Sequence, residues 1–395
     1  MMKSKKQLLF VIDSLGIGGA EKSLVTLLNV LDYSRFEVDV QLFAYGRAFQ
    51  PFLPAAVHLL PELETVGRLS QPWRRLLRHP SLLWSKIGYS LKIRLRKRSV
   101  SECACLWWRH FGRYIGPAAK RYDVAIAYAQ GVPTFYTVDK VTASRKMAWV
   151  NGVYRITGKV RDFQRRFYGA CDTIVPVSEQ VRDIFAAEVY PEFGGKMQVM
   201  WDITDGALVA RLAALPSEKP VDASRPVVMT VGRLIELKGY RLALAAARIL
   251  RDRGVAFRWY AVGEGSLRAE LERLIAENGL GDHFVLLGET ANPYSCMRQC
   301  DVYVQPSLRE GFGLTIAEAR ILNKPVVCTQ FEGCTVQVTH EKNGLITSFD
   351  PEAIADAVER LLTDKELYAA LREQLRTEKK GNTEAVETFY RLIAT

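Results

Sequence analysis

Arg309-Glu310-Gly311-Phe312-Gly313-Leu314-Thr315-Ile316-Ala317-Glu318-Ala319 sets two carboxylates, Glu310 and Glu318, on either side of a Gly-Phe-Gly turn that opens a helix. An apolar run, Val302-Tyr303-Val304, precedes the turn and reads as a strand. Leu314, Ile316, Ala317, Ala319, Ile321 and Leu322 follow at helical spacing, and Pro325 to Thr329 reads as the next strand. Strand, glycine turn, helix and strand form the unit that aims free backbone amides at a phosphate. Glu310 falls in the mouth of the turn and Glu318 about one helical turn inside, so the two can address different hydroxyls of one ligand. A diphosphate with sugars at both ends suits that spacing.

The same rhythm runs outward in both directions. Towards the N-terminus, strand-like runs at Leu8 to Asp13, Val38 to Phe43, Val124 to Tyr128, Lys146 to Trp149 and Thr173 to Val177 alternate with helical stretches at Glu21 to Leu31 and Glu179 to Ala187. The pattern weakens from Leu208 to Arg225, read as the crossing between domains. It restarts with strand Pro226 to Val231, helix Tyr240 to Arg253, strand Phe257 to Val262, helix Ser266 to Asn278 and strand Phe284 to Leu287. A helix at Pro351 to Leu362 and a basic link lead to Thr383 to Ile393. Such alternation predicts an α/β protein of two Rossmann-like, doubly wound domains facing across a cleft. The domains are expected at 1–212 and 213–378, with 379–395 a C-terminal helix returning to the first.

The chain has 395 residues, 48% hydrophobic and 25% charged, which is long enough for two domains and far from disordered composition. Its seven cysteines are scattered, without the knuckle spacing of a zinc site, and read as reduced thiols packed as small hydrophobes. Met1 to Lys6 is basic and precedes Leu8 to Ile12, yet that run stops at Asp13 without a small-residue cleavage site, so it reads as a buried strand rather than a signal peptide. No stretch reaches the length of a membrane span.

The net charge of +11 is concentrated. Residues 71–121 carry thirteen Lys or Arg against a single acid, Glu102, interleaved with Trp73, Trp84, Trp107 and Trp108. Cations mixed with tryptophan and leucine suit an anionic membrane surface. A solvated helix face, or a loop packed on the core, is the plainer reading. Nucleic acid is not the expected partner, because no recognition-helix or aromatic RNA-binding pattern accompanies the charge.

Three further loops follow strands. Gly16-Ile17-Gly18-Gly19-Ala20-Glu21 lets backbone amides approach an anion ahead of a helix. Val231-Gly232-Arg233-Leu234-Ile235-Glu236-Leu237-Lys238-Gly239 carries two cations five residues apart, able to stabilise the charge a departing diphosphate develops. Val262-Gly263-Glu264-Gly265-Ser266 is a second glycine turn, with Ser266 placed to cap the next helix.

Taken with Asn292-Pro293-Tyr294, Pro306-Ser307-x-x-Glu310-Gly-Phe-Gly and Asn343-Gly344-Leu345, these motifs resemble the retaining glycosyltransferases of family 4, of the two-domain GT-B type, including those of bacterial surface-polysaccharide synthesis. The resemblance spans nearly the whole chain in family order and is more specific in the C-terminal half. It implies that Arg233 and Lys238 hold the donor diphosphate, helped by amides at Gly313, Leu314 and Thr315. It further implies that Glu310 faces the donor sugar and Glu318 the ribose, that Gly18 and Gly19 close over the donor, and that Tyr294 and Leu287 line the base pocket. Gly263 falls among the donor-binding residues in the same comparison. The implied donor is a UDP or GDP sugar, with no metal and no other cofactor, since fixed cations and helix N-termini supply the positive charge. The implied acceptor is a glycan or lipid-linked glycan at the cytosolic face of the plasma (inner) membrane.

Three positions depart from the family. Gln130 stands where many relatives have Glu. Trp149-Val150-Asn151-Gly152-Val153 stands for Trp-x-His-x-Asp, so Asn151 keeps a hydrogen bond but removes a titratable group on the acceptor or donor-sugar side. These changes leave two readings: altered specificity, or a catalytically weak or silent sugar-nucleotide binder. A sugar-nucleotide epimerase on the same fold ranks lower, because the five histidines (58, 79, 110, 283 and 340) lie in no acid-base motif.

Overall fold

Short, almost uniformly apolar strands are what a parallel sheet covered on both faces requires, and the chain builds two of them. The computed structural model describes residues 5–96, 98–152, 156 and 158–394. By its internal packing the chain divides into Met1–Trp201 with Ala385–Thr395, and Asp202–Glu384.

In the first unit, strands β1 (Lys6–Ser14), β2 (Phe36–Ala44), β3 (Val57–Leu59), β4 (Tyr122–Ala127), β5 (Ala143–Val150) and β6 (Thr173–Pro176) pair in the order β3-β2-β1-β4-β5-β6, every pair parallel. Leu8 to Ile12 of β1 are all but inaccessible to solvent, as expected of a central strand covered by helices. The last helix, Val386–Ala394, belongs to this unit: Phe389 stacks on Phe10 with ring centroids 5.8 Å apart, and Lys6 donates to the Ile393 carbonyl at 2.7 Å. The basic stretch, which shows no clear element in sequence, folds as helices Trp73–Leu76, Pro80–Arg94 and Val100–Phe111. A reciprocal capping box between Ser99 and Glu102 starts the third.

In the second unit, β7 (Val227–Val231), β8 (Arg258–Val262), β9 (Phe284–Gly288), β10 (Val302–Gln305), β11 (Val326–Thr329) and β12 (Gly344–Thr347) run in the order β12-β11-β10-β7-β8-β9, again all parallel. Numbered from each unit's own first strand, both sheets show the 3-2-1-4-5-6 order of a Rossmann fold, in which the chain reverses direction beside its first strand. Trp259 lies fully buried in this core. Its indole N–H donates to Thr230 Oγ1 at 3.0 Å, and that hydroxyl donates to the Val304 carbonyl at 2.9 Å, so the polar side-chain atoms of Trp259 and Thr230 are both satisfied.

Three sequence expectations need correction. The stretch expected to begin the crossing between domains at Leu208 is instead the helix Gly206–Ala213 of the second unit, capped by Asp205, so a boundary at 212 would cut at its last turn. The supposed link after Leu362 contains a full helix, Lys365–Thr377, capped by Asp364 and buried through Leu371 and Leu375. Ser266 caps nothing: the helix begins at Arg268, with Leu267 in the cap position and no side-chain bond.

Candidate active site

In a Rossmann sheet the ligand crevice opens beyond the carboxyl ends of the strands, where the strand order reverses. In the second unit that point lies between β7 and β10, and the chain leaving β7 carries Arg233 and Lys238 while the chain leaving β10 carries Glu310. The first loop is pinned to the loop after β8 by Gly232 N to Val262 O and Leu234 N to Glu264 O, both at 2.9 Å. Gly263 has φ of 151°, and a side chain there would collide with the Gly232 carbonyl. A short 3-10 turn, Glu236–Lys238, then ends at Gly239, left-handed at φ 67°, which opens the helix Tyr240–Asp252. A Cβ at Gly239 would overlap the Pro306 carbonyl, so this loop and the one after β10 touch through a bare backbone. Leu308 N donates to Leu237 O at 2.9 Å, and Tyr240 OH donates to Gly232 O at 2.7 Å, fixing both loops.

This framework brings Lys238 Nζ to 2.6 and 2.8 Å from the two oxygens of Glu310. Glu310 Oε1 also accepts from Ser307 Oγ at 2.6 Å and from Gln305 Nε2 at 2.8 Å. Gln305 is the hub. Its carbonyl oxygen accepts from Tyr303 OH at 2.6 Å and Thr315 Oγ1 at 2.9 Å, while its amide also donates to Ser307 Oγ at 2.7 Å. Burial of Gln305 and Ser307, with the pair itself only 21% and 10% exposed, makes these charge-assisted bonds stronger than their counterparts at a surface. Arg233 is exposed and, among the described residues, forms no ion pair. Gly313, left-handed at φ 81°, opens the helix Leu314–Ile321; its first helical amide bond is made by Ile316, so the N–H groups of Leu314 and Thr315 face outward from the helix start.

Glu318 sits elsewhere. It is 2% exposed and accepts from Tyr294 OH at 2.9 Å, and the Tyr294 ring packs with Val209, Ala213 and Ile321 rather than standing as an open wall. Burial first, and then the Glu318 charge, push the Tyr294 phenol far above its ordinary range. Leu287 is half-buried near the end of β9 and Gly263 lies in the turn after β8. Gln305 and Ser307 as the residues that hold Glu310 escaped sequence reasoning; the available signal was a glutamine ending an otherwise apolar strand run.

Gly18, Gly19, Gln130 and Asn151 belong to the first unit. They follow β1, β4 and β5, three neighbours in that sheet, and so gather at its carboxyl edge. Gly18 precedes the helix Gly19–Val30. Asn151 Nδ2 donates to the Tyr128 carbonyl at 2.7 Å, and the rings of Tyr128 and Trp149 stack with centroids 4.9 Å apart. Its Oδ1, and both polar side-chain atoms of Gln130, are buried with no hydrogen-bond partner among the described residues. Val153, the other departure noted in this stretch, lies outside the described residues.

Residues 214–378 match the family Glycosyl transferases group 1. The chain is 32% identical over 172 residues to the alpha-D-kanosaminyltransferase of Streptomyces kanamyceticus, a match covering 43% of this chain and 44% of that relative, less than half its length. It is 25% identical over 376 residues, 94% of each chain, to the N-acetylgalactosamine-N,N'-diacetylbacillosaminyl-diphospho-undecaprenol 4-alpha-N-acetylgalactosaminyltransferase of Campylobacter jejuni. The crystal structure of Anabaena HepE in complex with UDP and glucose superposes with a TM-score of 0.68 over 99% of this chain and 100% of that one, at 17% identity. That likeness identifies the fold as GT-B. The match to the glycosyl transferases group 1 model thus falls within the second unit and takes in the strand-order reversal that carries Lys238 and Glu310.

Proposed function

We propose that the protein is a retaining, metal-independent glycosyltransferase that moves a hexose from a UDP or GDP sugar to a glycan or lipid-linked acceptor in cell-surface polysaccharide synthesis. The observation that carries this reading is the Lys238–Glu310 pair held by Gln305 and Ser307 where the strand order reverses. In this reading Asp202–Glu384 binds the donor and Met1–Trp201 serves the acceptor. The donor diphosphate takes up Lys238, with Arg233 beside it, and the displaced Glu310 carboxylate accepts a hydroxyl of the donor sugar. As the glycosidic bond lengthens, negative charge grows on the leaving phosphate; Lys238, Arg233 and the amides at the Leu314 helix start stabilise it. The acceptor oxygen attacks from the face the diphosphate leaves. Its proton passes to the departing phosphate oxygen, so configuration is retained without a separate base. Glu318 and Tyr294 shape the nucleoside side from within the core, and the unsatisfied side-chain amide of Gln130 and the unsatisfied Oδ1 of Asn151 offer hydrogen bonds on the sugar or acceptor side.

Supporting a membrane-borne acceptor at the cytosolic face, residues 71–121 expose large apolar side chains beside their cations. Trp84, Ile87, Leu91 and Leu95 follow one another at intervals of three and four, and are 71, 40, 58 and 80% exposed. No helix among the described residues is long and apolar enough to cross a membrane.

Incubating the protein with labelled UDP- and GDP-hexoses and a membrane extract tests the assignment. Label should enter the lipid fraction and disappear with Glu310→Ala. Nucleotide release that ignores added acceptor, or equal turnover by wild type and Glu310→Ala, would instead support the silent sugar-nucleotide binder.

A further inference from the structure

The helices Pro80–Arg94 and Val100–Phe111 cross where Gly88 faces His110, with a Cβ at Gly88 falling 3.3 Å from the imidazole. Beside the crossing lies a surface pocket of about 550 Å³ lined by Ser81, Trp84, Ser85, Lys92, Leu106, Arg109, His110 and Arg113. Three of these side chains are permanently cationic and none is acidic. Among the described residues, no carboxylate pairs with Lys92, Arg109 or Arg113; the neighbouring acid, Glu102, is engaged by Arg96.

The cations are held in place by contacts that leave their charge unopposed. Arg113 donates to Ser85 Oγ at 3.2 Å and Tyr114 OH at 2.7 Å, Arg109 lies 4.5 Å above the Phe163 ring, and Lys92 Nζ is 3.3 Å from His110 Nε2. His110 Nδ1 is 3.1 Å from the Ser85 carbonyl, which favours that nitrogen as the donor and leaves Nε2 to accept from Lys92. Burial, and then the charge of Lys92, hold this imidazole below its ordinary range, as an anion-seeking pocket would.

We propose that this pocket binds the phosphate or diphosphate headgroup of a membrane lipid. The inference rests on the membrane placement above and adds a specific site to it. Lipid is the source to which the geometry points, because Trp84 belongs both to the pocket lining and to the exposed apolar stripe, so a headgroup held by the cations keeps its chains on the Trp84, Ile87 and Leu91 side. A phosphate ester with two ionisable oxygens, or a diphosphate, meets three cations better than a phosphodiester with one charge does.

The test compares full-length protein on phosphatidylcholine vesicles carrying about 20 mol% phosphatidic acid with vesicles carrying enough phosphatidylglycerol to match surface potential. Wild type should prefer phosphatidic acid by about tenfold, roughly the worth of one charge-assisted hydrogen bond. Lys92→Glu/Arg109→Glu should erase the preference, and Lys92→Glu alone should reduce it if the double variant does not fold. Trp84→Ser/Leu91→Ser should weaken binding to both vesicles alike. A preference that survives in the Lys92 and Arg109 variants, or vesicle binding with no preference, overturns the pocket while sparing the membrane reading. Absence of binding to any vesicle overturns both. Inorganic pyrophosphate serves as the soluble arm: the His110 resonance should move towards the protonated form in wild type and stay unchanged in Lys92→Glu/Arg109→Glu. A pyrophosphate shift without vesicle binding would assign the pocket to a soluble anion and overturn the lipid assignment.

Discussion

Lys238 and Glu310, seventy-two residues apart in sequence, meet through both carboxylate oxygens at 2.6 and 2.8 Å. Lys238→Ala should lower kcat by about 10²-fold, because in the proposed reaction it removes a charge that acts most strongly on the departing diphosphate. Steady-state kinetics with the cognate donor checks this, and unchanged turnover would take Lys238 out of the diphosphate site.

Gln305 touches no substrate in the proposed reaction, yet it joins Glu310, Ser307, Thr315 and Tyr303. Gln305→Leu should cut kcat/KM by about tenfold through loss of one hydrogen bond to a charged group, with the loss concentrated in kcat. Gln305→Glu adds negative charge beside Glu310 and should be worse than Leu. If Leu and Glu behave alike, the residue acts only through packing.

Tyr294→Phe removes a hydroxyl donor from the buried Glu318 carboxylate. The expected cost is about 1–3 kcal/mol in urea unfolding, since the ring itself is kept. A variant as stable as wild type would mean that the carboxylate does not rely on the phenol.

The stability of the first unit should carry a pH signature from His110, whose folded pKa lies below its unfolded one. Between those two values the unfolded chain binds the extra proton, so stability rises with pH through that window. The contribution is complete above about pH 6.5, the unfolded imidazole value, and is lost as pH falls. His110→Gln should flatten the dependence of Tm on pH below about 6.5. An identical slope in wild type and variant would show that burial and the neighbouring Lys92 do not burden this imidazole.

What could be read in advance followed from local rules. The βαβ unit around Gly311 to Gly313 was legible because apolar runs, glycines and helical spacing sit within one short window, and the loops of Arg233, Gly263 and Glu310 each follow such a strand. The helix Lys365–Thr377 was hidden by its charge: it buries only Leu371 and Leu375, too narrow a stripe to stand out. Gly206–Ala213 was masked by the Pro, Ser and Lys residues after it. Tyr294 could be found as a motif residue but not as a core residue, because its burial comes from Val209 and Ala213, more than eighty residues away in sequence. Gln305 looked like an interruption of a strand; only the folded sheet turns it towards Glu310.

Gly239 contributes no functional group, yet the distance between an ammonium and a carboxylate depends on it. Its missing side chain lets the Pro306 carbonyl rest against the start of the helix Tyr240–Asp252. Even alanine would wedge the two loops apart, and a methyl group far too inert to react could silence the protein as thoroughly as deleting Lys238.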